Sequence, residues 1–392
     1  MKLLSDFTVL DLGTFITAPY AAMLLAELGA DVIKIERPNG GDPFRWFSGG
    51  VSSPHFQAHN RHKRSVALDY TVPKGRELLY ALIERADALV INVRPGVEQR
   101  LGLDEATLRR LNPRLVFCYI TGFGADGPYA KQAAYDNVGQ AASGLLARFH
   151  NSSDARVAGP AISDAATGIF ASIGILGALL ERARTDVGRK VEVNMIEATL
   201  ALAIEPLAHY FATGAEQPFY LRGAYSQAYI LTCKDGKRIA LQMSSREKFW
   251  RGLAAAIEQP DLLERYPDRK SLVDNYAKIA DELSAIFAQR PRHEWLERLF
   301  EHDVPFSAEH RLSELEQDSQ VRHLDLFYTL DHPAAGAVKS VHRAIRVDGS
   351  REIDFRPPPV LGQHTHEVLS KLGIDDDTLN ALAAGGVIHK VA

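Results

Sequence analysis

Short apolar runs alternate with helical stretches through the first half of the chain. Thr8-Val9-Leu10-Asp11-Leu12 reads as a strand, residues 13–19 as a loop, and residues 20–28 as an Ala/Leu helix that stops at Gly29. Residues 31–36 then form a second β-branched run. A strand, a helix and a strand in so short a span make a βαβ unit, which requires parallel pairing. The alternation predicts a helix over 75–85, a strand over 88–92, a helix over 104–110 and a buried strand over 115–120. Such a pattern points to a Rossmann-like, doubly wound α/β sheet.

Farther on, small residues at every turn predict a closely packed helix over 167–182, followed by a strand over 190–194 and an apolar helix from Ile196. Beyond residue 222 the pattern becomes a hairpin around Lys234-Asp235-Gly236-Lys237 and several amphipathic helices, a small α+β domain. The expected organisation is a large domain over 1–221, a small domain over 222–326, and a linker with a C-terminal part returning to the large domain over 327–392. Pro357-Pro358-Pro359 marks an extended connection before a last helix over 367–372.

Composition narrows the function classes. Of 392 residues, 49 are acidic and 45 basic, a net charge of −4 that leaves no electrostatic footprint for nucleic acid. Two cysteines, Cys118 and Cys233, cannot build a disulfide framework, which favours a reducing, cytoplasmic setting. The longest apolar run, 169–180, is too short to cross a bilayer, so no membrane partner is expected.

Several motifs offer chemistry. Gly122-Phe123-Gly124-Ala125-Asp126-Gly127 has the dinucleotide-loop spacing, but Pro128-Tyr129 follows where a helix should open. The glycines fit better as a ligand-binding loop at the carboxyl end of a strand. His55, His59 and His62 have the spacing of one helix face, yet Arg61, Lys63 and Arg64 among them oppose a divalent cation. Cys118 sits in an apolar strand and reads as a buried small hydrophobe. The basic stretch Asn60 to Asp69 is either a solvated edge or a phosphate patch. Ser163-Asp164-Ala165-Ala166-Thr167-Gly168 places an acid at the mouth of an apolar helix, where either residue suits an N-cap.

Taken in order, these segments form a recognisable set. Val9-Leu10-Asp11-Leu12, Leu28 to Pro38, Asn60 to Asp69, Asn92-Val93-Arg94-Pro95-Gly96, Arg100-Leu101-Gly102, Ile120 to Gly124, Val304-Pro305 and Pro359 to Thr365 resemble the class III CoA-transferases over nearly the whole chain. That family includes formyl-CoA transferase, carnitine CoA-transferase and the alpha-methylacyl-CoA racemases. The resemblance implies transfer of CoA from an acyl-CoA to a free carboxylic acid, in an interlocked, ring-like homodimer without metal or redox cofactor. It aligns Asp164, with Gly168, to the family's catalytic aspartate, which forms a mixed anhydride and then an aspartyl-CoA thioester. A helix N-terminus beside Asp164 is expected to lower its pKa. Thr14, Arg37, Leu68, Asn92, Arg100, Tyr135 and Met195 fall on CoA-contact positions.

Departures from the family pattern are specific. Thr14, Ile16, Val93 and Ala133 replace a histidine, a glutamine, a phenylalanine and a lysine of other members. Tyr135 stands where the racemases carry their histidine, and a phenol is a poor general base at neutral pH. The resemblance therefore implies transfer, with 2-methylacyl-CoA racemisation as the alternative reading and a catalytically silent acyl-CoA-binding protein as a further one. The glycine-rich loop of formyl-CoA transferases is missing near Gly223-Ala224-Tyr225-Ser226-Gln227, which disfavours formate and oxalate. The segment from Pro357 to Thr365 is similar to that of dicarboxylate-using members.

Overall fold

The computed structural model describes residues 3–48, 53–149, 156–351 and 356–391. They divide into two compact units, one of residues 1–205 and 325–392 and the other of residues 206–324. The first boundary thus falls earlier in the chain than the expected 221/222.

The first unit is built on a seven-stranded sheet. Strands β1 (Thr8–Asp11), β2 (Asp31–Glu36), β3 (Lys63–Leu68), β4 (Ala88–Ile91), β5 (Val116–Thr121) and β6 (Lys190–Asn194) run parallel in the order 3-2-1-4-5-6. This is the doubly wound order, with its reversal between β1 and β4. The central strands read clearly in sequence because both faces are covered, so each is a nearly unbroken apolar run. One apolar layer joins Leu10, Ile33, Val66, Leu89 and Phe117 to the Pro73–Ile83 helix. The other joins Val9, Val90, Val116 and Cys118 to the Thr17–Glu27 and Ile162–Thr185 helices.

Gly168 explains why the latter two helices approach so closely. A Cβ there would lie 3.0 Å from the Thr17 carbonyl oxygen and 2.9 Å from Tyr20 Cδ1. The Ile162–Thr185 helix has 24 residues, so it starts earlier and runs longer than the pattern suggested. By length and composition alone it could cross a bilayer, contrary to the expectation from the apolar run, but half of its most apolar window is buried inside the protein.

The C-terminal end differs from expectation. After the helix Thr365–Ser370 come a second helix, Asp376–Ala384, and a two-residue strand, Ile388–His389, which pairs antiparallel with β3. Also in this unit, Phe327–His332 and Gly336–Val341 form an antiparallel hairpin.

In the second unit, β7 (Ala228–Thr232) and β8 (Arg238–Gln242) form the expected hairpin, joined by β9 (Phe306–Ala308). Helices such as Tyr276–Phe287 and Arg292–Glu301 pack on it around Trp250, Phe287 and Trp295.

Candidate active site

A cavity of about 360 Å³ opens at the carboxyl ends of β1, β4 and β5, where the strand order reverses. Open α/β sheets bind ligands at such a switch point. Its walls are residues 14–17 after β1, Asn92, Val93, Arg94 and Val97 after β4, residues 120–122, residues 132–135, Met195 and Asp164. Among the described residues, Asp164 is its one carboxylate and Arg94 its one basic side chain.

The loop after β1 is fixed through its main chain. The Asp11 carboxylate accepts from Gly13 N at 2.9 Å, and Lys34 Nζ donates to the Gly13 carbonyl at 2.8 Å. Asn92 accepts from Thr14 N and donates to both the Thr14 carbonyl and Thr17 Oγ1. Asp42 accepts from Phe15 N at 3.1 Å. Phe15 sits at φ 61°, a left-handed conformation that a bulky side chain adopts only when its surroundings hold it there.

Behind this loop lies a buried charge network. Lys63 Nζ donates to Asp11 Oδ2, the Pro19 carbonyl and Asn60 Oδ1, each at 2.7–2.8 Å. Lys34 pairs with Asp42 at 3.0 Å and with Asp11 at 3.6 Å. Glu36 takes both Arg45 Nε and Nη2 at 2.8 Å. Burial by itself would raise the Asp11 pKa, but Lys34 and Lys63 outweigh it and hold the carboxyl below its ordinary value. The Asn60 to Asp69 stretch is therefore neither a solvated edge nor a phosphate patch. Lys63 is buried, Arg64 pairs with Asp31 and Glu367, and Arg61 pairs with Glu27.

Asp164 has the opposite surroundings. It occupies the first turn of the Ile162–Thr185 helix, and the cap is Asp136 from the preceding helix, Asp136–Ala142. Asp136 Oδ1 accepts from Ser163 N at 2.8 Å and from Asp164 N at 3.2 Å. Ser163 Oγ is bonded to Thr199 Oγ1 at 2.6 Å, so neither expected cap residue caps this helix. Burial first, then the negative charge of Asp136, pushes the Asp164 carboxyl up to about 7. That overturns the expected lowering: the helix-terminal N–H groups nearest Asp164 already serve Asp136.

Of the residues aligned to CoA contacts, Thr14, Asn92, Tyr135 and Met195 line the cavity with Asp164. Tyr135 is 61 % exposed and meets Phe15 edge-on at 5.7 Å. Arg37 follows β2 and Arg100 lies in the helix Val97–Leu101, both exposed and outside the cavity walls. Leu68 ends β3 with its side chain in the core, so it too lies outside the cavity. Arg94, Gln132 and Asp136 were not singled out as site residues in sequence. Asp136 reaches Asp164 across 28 positions, a spacing that carries no local signal.

The remaining motifs serve structure. Gly122 lines the cavity, and the next helix does not open until Asp136, unlike a dinucleotide loop. His55 and His59 sit on the Pro54–Asn60 helix against Phe44, at 5.3 and 6.0 Å between rings, while His62 lies beyond its end. No group of three or more metal-ligating side chains occurs among the described residues. Cys118 is buried in β5, which pushes its thiol up to about 12 and leaves no thiolate for nucleophilic work.

Fold and site together define an open α/β enzyme with a single, raised carboxylate at the switch point. The sequence matches the CoA-transferase family III pattern over residues 4–365, and the chain belongs to that family; it is a CoA-transferase. It is 31 % identical to the succinyl-CoA:glutarate CoA-transferase of Mus musculus, over 100 % of this chain and 91 % of that protein. It is likewise 31 % identical to the formyl-CoA:oxalate CoA-transferase of Streptomyces avermitilis, over 99 % of this chain and 100 % of that one. The crystal structure of a CAIB/BAIF family protein from Brucella suis superposes with a TM-score of 0.80 at 26 % identity, over 93 % of this chain and 98 % of that one. Rv3272 from M. tuberculosis gives 0.82 at 27 % identity, over 94 % and 99 %.

Proposed function

We propose that this CoA-transferase passes CoA from an acyl-CoA donor to a free dicarboxylic acid, with Asp164 as the nucleophile. The observation that carries the reading is the solitary Asp164 carboxylate in the switch-point cavity, where a raised pKa marks a basic and poorly solvated nucleophile. Its oxygen attacks the thioester carbon, the C–S bond breaks, and CoA leaves as a thiolate from a mixed anhydride. The thiolate attacks the Asp164 carbonyl, releasing the donor acid and leaving an aspartyl-CoA thioester. The acceptor carboxylate attacks that thioester and frees the thiolate again. Attack of the thiolate on the acceptor acyl carbon gives the new acyl-CoA and restores Asp164. Splitting one exchange into such steps is covalent catalysis, and no electron changes hands, so the scheme calls for no redox cofactor.

Dicarboxylates are favoured because relatives are named for glutarate and succinate, and because Arg94 brings a cation into the same cavity. CoA is proposed to extend from the cavity toward Arg37 and Arg100, whose guanidinium groups suit its phosphates. A homodimer is part of the proposal: Ile169, Phe170, Ile173 and Leu180 are exposed along one helix, an apolar row that a second copy would cover. Sedimentation is expected to give twice 43.2 kDa.

The test is incubation with an acyl-CoA and a mixture of carboxylic acids in D₂O, read by mass spectrometry. New CoA thioesters without deuterium at the α-carbon are expected. Deuterium uptake with no new thioester would instead establish the racemase reading.

A further inference from the structure

We propose that Asp136 is a positioning residue that fixes the main chain at the nucleophile and opposes the negative charge on its carboxyl. The proposal rests on the reading of Asp164 as nucleophile. The geometry begins with Asp136 Oδ1, which binds Ser163 N and Asp164 N together. Its other oxygen accepts from Gln140 Nε2 at 2.6 Å, so the carboxylate is held from both sides. The Asp136–Ala142 helix is itself held close, since a Cβ at Gly139 would lie 2.2 Å from Ser163 Oγ and 3.1 Å from Met195 Cβ.

A helix N-terminus ordinarily stabilises an acid in its first turn. Here two of those N–H groups are turned to Asp136, and their favourable charge is spent on the cap. Asp164 is left with burial and with a neighbouring anion, which both disfavour its ionised form. The cavity's other ionisable groups are Tyr135 and Arg94; the loop after β1 brings Thr14, Phe15, Ile16 and Thr17, and the next helix brings Met195. The chemical consequence concerns the covalent intermediates. As an anhydride or a thioester, Asp164 carries no charge, so acylation relieves the repulsion from Asp136 and the cost of burial. The free carboxylate is thereby made less stable than its acylated forms, and acylation is favoured.

Asp136→Asn separates the two roles, because its amide oxygen still accepts from both N–H groups while the charge is gone. The acid limb of the kcat/KM profile for acyl-CoA is expected to move down by about one pH unit or more. The pH-independent rate should fall about threefold for each pH unit the limb moves, because a less basic carboxylate is the weaker nucleophile and rate follows basicity only in part. The thermal midpoint should stay close to that of the parent, and Asp136→Glu should restore the limb. Asp136→Ala should lower the thermal midpoint by losing the cap while moving the limb down as Asp136→Asn does. An Asp136→Asn protein whose acid limb and plateau match the parent overturns the proposal. Borohydride trapping of the aspartyl-CoA thioester is run alongside on the parent enzyme. An adduct at residue 164 with an unmoved limb refutes Asp136 alone, whereas no adduct there refutes the nucleophile and this inference with it.

Discussion

Asp11 ends β1 and is fully buried, while Asp164 lies in the first turn of the long helix, lines the cavity and is half-buried. Asp11 is the more deeply buried, yet its carboxyl is held below the ordinary value while that of Asp164 is pushed up to about 7. Neighbours account for the difference. Asp11 has two lysine ammonium groups within 3.6 Å, whereas the ionisable group acting on Asp164 is another carboxylate. Burial penalises charge at both sites, and the sign of the nearest charge decides the outcome. One aspartate therefore locks a loop in place, and the other is the carboxyl proposed to react.

The largest effect expected from breaking this contrast is on turnover. Asp164→Asn should fold and bind CoA yet lose transfer by several decades, as an amide cannot carry the acyl group. Asp11→Asn attacks the other side. It leaves the buried Lys63 without an acid and should cost about 3–5 kcal/mol in denaturant unfolding. If instead Asp11→Asn were as stable as the parent, the lysines would not be doing what the distances imply.

The same Asp164→Asn variant sharpens the comparison through stability. A carboxyl whose folded pKa is raised contributes stability that is complete below its unfolded value and is lost as pH rises through about 7. Near pH 8 the variant should therefore be more stable than the parent by at least about 1 kcal/mol, since each pH unit of displaced titration is worth ~1.4 kcal/mol. Asp11 and Glu36 work in the other direction. Glu36 is buried, but Arg45 outweighs that burial and lowers its pKa. Their stabilisation is present above the unfolded carboxylate values and fades as pH falls below about 4.5, so the thermal midpoint should drop there. Lys63→Met should flatten that acid loss, because Asp11 then has less attraction to forfeit.

The sheet was legible in sequence where a strand is buried on both faces, as at Leu115-Val116-Phe117-Cys118-Tyr119-Ile120, and the hairpin at Asp235-Gly236 announced itself by its turn. Ile388–His389 was not legible, because two residues have no period to read. The start of the Ile162–Thr185 helix was missed for a related reason. Its cap is supplied from Asp136, far back in the chain, so no local signature precedes Ile162. Asp164 itself is legible through the family pattern, but the direction of its pKa follows from burial first and from the remote Asp136 second, neither of which the local sequence around Ser163-Asp164 carries. Lys63 and Arg64 looked like a surface patch because the acids that bury them, Asp11, Asp31 and Glu367, lie on other segments.

The most direct measurement is the covalent state of residue 164. The enzyme is incubated with acyl-CoA in the absence of an acceptor acid, treated with borohydride, digested and sequenced by mass spectrometry. A thioester on Asp164 accepts two hydrides, releases CoA thiol and becomes an alcohol, so the expected result is homoserine at position 164. Its formation should require acyl-CoA and should disappear when an acceptor acid is added before the reductant. An unmodified Asp164 in an enzyme that still forms new CoA thioesters under the same conditions would contradict the assignment of the nucleophile.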